Sequence, residues 1–91
     1  NITRSTPKNL SVNIDLEKIK TKKIFKWLKS QNISDPEMLK TFNCGVGFCV
    51  IIDKKNINQI KKYFTKDYMP YEIGYVSESA KKLNLYNSIK W

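Results

Sequence analysis

Val46-Gly47-Phe48-Cys49-Val50-Ile51-Ile52 is an unbroken apolar run rich in β-branched residues. A short apolar run of this kind reads as a strand buried on both faces, so it is expected at the centre of its sheet. Immediately before it, Asn43-Cys44-Gly45 forms a natural helix exit. The helix that ends there opens at Ser34-Asp35-Pro36-Glu37 and runs to about Phe42. Its start fits either a Ser34/Glu37 capping box or an Asp35 cap with Pro36 at the first helical position.

Further back, residues 21–31 place Ile24, Trp27 and Leu28 at helical spacing, with Lys22, Lys26 and Lys29 on the opposite side. This predicts an amphipathic helix with Thr21 as N-cap and Trp27 in the core. Ser11-Val12-Asn13-Ile14-Asp15 alternates polar and apolar residues, as a half-buried strand does. Residues 1–10, punctuated by Pro7 and Asn9, read as a connector.

On the other side of the run, Asp53 is placed to cap a helix in which Ile57, Ile60 and Phe64 share a face. Tyr68-Met69-Pro70 breaks that helix. Residues 71–77 read as another strand, with Gly74 marking a bulge or a close approach. Leu83 and Leu85, with an extension over residues 89–91, predict a last strand.

The order strand, helix, helix, strand, helix, strand, strand implies an α/β (α+β) fold with a mixed β-sheet and helices packed on it. The helix between the runs 46–52 and 71–77 fits a right-handed crossover, and a longer route to an antiparallel partner stays open. Residues 11–91 are expected to be one α/β domain portion, the partial C-terminal domain of something longer. Residue 1 is Asn rather than Met, which fits a piece of a longer chain.

Composition narrows the chemistry. The 91 residues hold 17 Lys plus Arg against 8 Asp plus Glu, a formal net charge of +9. Only Arg4 is Arg, whereas recognition of bases and phosphates leans on the bidentate guanidinium fork. The Lys, Asn and Ile bias is what an AT-rich genome writes into tolerant surface positions. A polyanion-binding surface is the competing reading of the same charge. With no His, triad and His-ligated zinc chemistry are excluded. Three glycines are too few for a phosphate loop, and no apolar run reaches the ~20 residues of a membrane span. Cys44 and Cys49, if extended, stand roughly 16 Å apart, too far for a disulfide. They read as two small buried hydrophobes. Asp15 and Glu17 fall on one strand side, where they either hold a cation or face solvent.

Two candidate sites emerge. Thr41, Asn43, Gly45 and Gly47 gather hydroxyl, amide and accessible backbone N–H groups beside the apolar run; the bland reading is a helix-to-strand turn. Arg4, near Asn1 and ahead of Pro7, fits a bidentate grip on phosphate or carboxylate; the bland reading is a linker charge.

Taken together, Asn1-Ile2-Thr3-Arg4, Ile14-Asp15, Phe25-Lys26-Trp27-Leu28 and above all Glu37-Met38-Leu39-Lys40-Thr41-Phe42-Asn43-Cys44-Gly45-Val46-Gly47-Phe48 resemble one family. It is phosphoribosylformylglycinamidine cyclo-ligase, or aminoimidazole ribonucleotide synthetase, and the resemblance runs to about Gly74. It implies ATP- and Mg²⁺-dependent cyclisation of formylglycinamidine ribonucleotide to aminoimidazole ribonucleotide, in cytoplasmic purine biosynthesis. It further implies a homodimer formed through an N-terminal domain that also supplies most of the ATP site. These residues then match the latter part of the C-terminal domain, inactive alone and holding no cofactor themselves. Residues 1–10 become the remnant of a substrate loop whose Asn1 and Arg4 persist while Thr3 replaces the usual Pro. Asn1, Arg4, Thr41, Asn43, Gly45 and Gly47 become candidate substrate-binding residues, with no acid or base assigned. A sheet edge or apolar face left open in such a piece invites self-association. The alternative reading is a small Lys-rich α+β nucleic-acid-binding module; no membrane partner is expected.

Overall fold

A computed structural model describes all 91 residues and builds the fold around one strand, β1 (Leu10–Asp15). Strand β2 (Gly74–Glu78) pairs with it antiparallel, Asn13 opposite Tyr75. Strand β3 (Leu83–Tyr86) pairs with it parallel, Asn13 opposite Asn84. The sheet is therefore mixed, in the order β2-β1-β3, and the fold is α+β as its sequence implies.

The alternation in β1 works on both faces. Val12 and Ile14 enter the apolar core with Leu16, Met38, Cys44 and Ile89. The polar face is buried as well, since Asn13 is 3% exposed. Its amide donates to Ser77 Oγ at 2.9 Å, and its oxygen accepts from Asn84 Nδ2 at 3.0 Å. This cross-strand ladder satisfies groups whose burial is otherwise costly, and it makes central a strand expected to be half-buried.

Two helices follow. In α2 (Asp35–Thr41), Ser34 is the N-cap, accepting from Glu37 N at 3.3 Å, with Pro36 in the first turn. The Glu37 carboxylate accepts from Thr41 Oγ1 at 2.7 Å, so the cap is the Ser34 half of a box. Met38, fully buried, anchors α2 to the sheet. In α1 (Lys23–Lys29), Lys22 occupies the N-cap and Thr21 does not cap; the Thr21 hydroxyl is buried without a partner. The buried face is also rotated from the expected one. Phe25 and Leu28 pack on the core, whereas Trp27 is 59% exposed and Ile24 is exposed too. Phe25 turns toward Phe42, their rings 6.3 Å apart and tilted, and this contact fixes which side of α1 faces inward.

The largest correction falls on residues 46–52, which form no strand. The sheet ends at β2 and β3, and the run pairs with neither of these edge strands. No backbone–backbone hydrogen bond involves residues 47–52. Phe48 is 87% exposed, and Val50, Ile51, Ile52 and Cys49 are exposed as well; of the two thiols, only Cys44 is a buried hydrophobe. The expected right-handed crossover therefore lacks its first strand. The parallel pair that does form is β1 with β3.

Asp53 caps as expected, its carboxylate accepting from Lys55 N at 3.0 Å at the start of the 3-10 turn Lys54–Asn56. The helix α3 (Ile57–Lys61) is short and leaves Phe64 outside it. Gly74 marks a close approach: a Cβ there would lie 1.9 Å from the Asn13 carbonyl oxygen. Residues 89–91 pack instead of pairing, Ile89 buried and Trp91 laid against the core. The radius of gyration, 14.3 Å, exceeds the roughly 12 Å of a compact chain of this length. None of the nine buried residues lies between Cys44 and Ile89.

Candidate functional site

The segment 41–47 hangs from the C-terminal end of α2. Phe42 N donates to Met38 O at 2.9 Å and closes the helix. Cys44 and Gly45 then take positive φ, 54° and 100°. Gly45 is required here twice over: its φ suits glycine, and an added Cβ would meet Lys20 O at 3.2 Å. The turn is thus wedged between α2 and the backbone that leads into α1.

Within the turn, Asn43 Oδ1 accepts from Gly45 N at 2.9 Å, and Asn43 O accepts from Val46 N at 2.9 Å. The Gly45 N–H is therefore occupied internally, as in an Asx turn. Among the donors without a partner are the Asn43 side-chain NH₂ and the Gly47 N–H. Gly47 has open space around it, with nothing within 4 Å of an added Cβ. Thr41 is exposed and its hydroxyl proton goes to Glu37, which leaves its oxygen as an acceptor.

Asn1 and Arg4 belong to a second segment. Asn1 precedes the 3-10 turn Ile2–Ser5, and its carbonyl accepts from Arg4 N at 3.1 Å. Arg4 is exposed and enters no ion pair, so its whole guanidinium fork is available. Ile2 from this segment, and Phe42 and Cys44 from the other, pack against one core. The six candidates thus stand in two groups on a common support, with no hydrogen bond or ion pair joining the groups.

Burial pushes the Cys44 thiol above its ordinary range, and the Asp35 carboxylate adds to the shift. The thiol is protonated and packed, contacting the Met38 carbonyl at 3.6 Å; it is not a nucleophile. No three His, Cys, Asp or Glu side chains come together to hold a metal ion. Asp15 and Glu17 have other partners: Asn87 donates to Asp15 Oδ1 at 2.9 Å, and Glu17 pairs with Lys90 at 2.7 Å. No helix is long and apolar enough to cross a membrane.

The sequence reading missed a polar cleft of about 390 Å³ on the sheet, lined by Asn13, Asp15, Glu72, Tyr75, Tyr86 and Asn87 among others. Its signal was the polar half of the alternation in residues 11–15, whose partners lie some 60 residues or more away.

Residues 1–84 match the family described as AIR synthase related protein, C-terminal domain. A phosphoribosylformylglycinamidine cyclo-ligase of Staphylococcus epidermidis is 42% identical over 76 residues, 81% of this chain and 22% of the relative. One from Staphylococcus aureus is 37% identical over 78 residues, 84% of this chain and 23% of the relative. The chain thus spans less than a quarter of the length of these curated relatives. No solved structure matches it. A match over nearly the whole chain, on a mixed sheet with helices, is enough to place it: the chain belongs to the AIR synthase related protein C-terminal domain family.

Proposed function

We propose that these residues are the latter part of the C-terminal domain of a cytoplasmic phosphoribosylformylglycinamidine cyclo-ligase. Such an enzyme closes formylglycinamidine ribonucleotide to aminoimidazole ribonucleotide at the expense of ATP, in purine biosynthesis. The observation that carries the reading is the 42% identity over 81% of this chain to a protein of that name.

On this reading, the chain's own residues bind and orient substrate. The Arg4 fork, free of ion pairs, grips phosphate oxygens bidentately. The Asn43 NH₂ and Gly47 N–H supply donors to an oxygen on which charge develops, held by a turn that the internal Asn43–Gly45 bond stiffens. Gly45 serves as the wedge of that turn, and Thr41 accepts a hydrogen bond. Asn1, whose carbonyl accepts from Arg4 N, keeps its side-chain amide free to bind substrate.

ATP, Mg²⁺ and the homodimer contact are assigned to polypeptide outside the 91 residues, which are expected to be inactive alone.

The test is to incubate the intact gene product with formylglycinamidine ribonucleotide, ATP and Mg²⁺. Aminoimidazole ribonucleotide formed one-for-one with ADP is the expected result; a folded, ATP-binding protein that forms none refutes the reading. In the active enzyme, Arg4→Ala should lower kcat/KM by roughly 10²-fold, and Arg4→Lys should recover only part of it. An unchanged kcat/KM would remove Arg4 from the site.

A further inference from the structure

Residues 85–91 lie beyond the family match, which ends at residue 84, yet they are tied to the fold at several points. Ile89 is 5% exposed and belongs to the core cluster. Asn87 bonds Asp15 at the end of β1, and Lys90 pairs with Glu17 in the next turn. Trp91 Nε1 donates to Asp35 Oδ1 at 3.1 Å. That same carboxylate oxygen faces Lys29 Nζ at 3.3 Å, so one atom joins the end of α1, the first turn of α2 and the tail. Between tail and α2 lies a cleft of about 230 Å³ lined by Pro36, Leu39, Leu85, Ile89 and Trp91 among others.

We propose that residues 87–91 are a clasp, with Trp91 and Asp35 as positioning residues that set α2 and, through it, the Asn43–Gly45 turn. The mechanical path is short. Asp35 and Pro36 are fixed at one end of α2. At the other, the Met38 carbonyl takes both Phe42 N and the Cys44 thiol, and Gly45 is wedged against residues 20–22. A seven-residue helix held at its start transmits a tilt or slide directly to that wedge, because packed interiors do not absorb displacement smoothly.

The clasp concerns the same turn as the proposed function but does not depend on it, since its readouts come from the chain without ligand. Trp91→Phe keeps an aromatic ring, smaller than the indole, and removes the N–H donor. The three glycines serve as amide reporters in a ¹H–¹⁵N spectrum: Gly45 and Gly47 in the candidate segment, Gly74 in the sheet. The two thiols are a second reporter, Cys44 buried and Cys49 exposed. In Trp91→Phe the Gly45 and Gly47 signals should shift, and Cys44 should alkylate roughly fivefold faster, while Gly74 and Cys49 keep their wild-type behaviour. Trp27→Phe, a change of an exposed ring, should move none of them. Unchanged Gly45 and Cys44 in Trp91→Phe overturn the clasp. Equal shifts in both variants, or collapse of Gly74 along with the rest, overturn it too, since neither is local positioning.

Discussion

Two sets of apolar side chains in this chain end up in opposite states. Val12, Ile14 and Leu16 in and after β1 are buried; Phe48, Val50, Ile51 and Ile52 are exposed. The difference is not hydrophobicity but pairing. β1 has strands on both edges and α2 on one face, so each apolar side chain is buried against groups whose backbone is already satisfied. Residues 47–52 have no backbone hydrogen bond, and burying unpaired N–H and C=O groups is costly enough to offset the apolar gain. Every candidate site residue but Gly47 sits on or before the turn where the ordered half gives way to the open one.

The largest contrast should come from core against run. Met38→Ala removes a fully buried side chain and should cost about 2–5 kcal/mol in urea unfolding. Phe48→Ala should stay within about 0.5 kcal/mol; equal losses would break the comparison. Glycines give the next effect. Gly74→Ala drives a Cβ into the Asn13 carbonyl and should cost about 1–3 kcal/mol, whereas Gly47→Ala meets open space and should be neutral or slightly stabilising. Thermal melts of the pair decide this.

Thiol chemistry sharpens the same line at smaller scale. Titration with a disulfide reagent should show Cys49 reacting faster than Cys44, because both thiols are raised above their ordinary range but only Cys44 is buried. Two fast thiols would mean that the core around Met38 opens readily.

The smallest effect concerns pH. The Asn87 hydrogen bond, with help from Glu17 N and Lys18, lowers the Asp15 carboxyl from its ordinary 3.8. A depressed folded value contributes stability that is fully present above the ordinary one and fades as pH falls through the lowered one. Asn87→Ala should therefore weaken the chain slightly at neutral pH and flatten its acid unfolding limb. An identical limb in both would leave Asp15 without that role.

Much of the local structure was legible in the sequence because its signals are local. The 11–15 alternation, the Ser34 cap with Pro36, the Asp53 cap and the close approach at Gly74 each depend on a few neighbouring residues. What escaped depends on distant partners. Which face of α1 is buried is decided by Phe42, and the burial of Asn13 by Ser77 and Asn84. The run 46–52 carries every intrinsic mark of a strand, but a strand exists only beside another, and no local pattern shows whether one is there. In the candidate turn the residue types were legible and their bonding was not. That Gly45 N–H is already taken by Asn43 follows from three-dimensional geometry alone.

Amide hydrogen exchange on the 91-residue chain, resolved by residue, tests most directly the claim that pairing divides this chain. Amides of β1 paired to β2 and β3, such as Val12 bonded to Lys82 O, should exchange slowest, and those of residues 47–52 should exchange at nearly the unprotected rate. Protection over residues 47–52 equal to that of β1 would contradict it, showing a strand partner for the run and a different sheet from the one described.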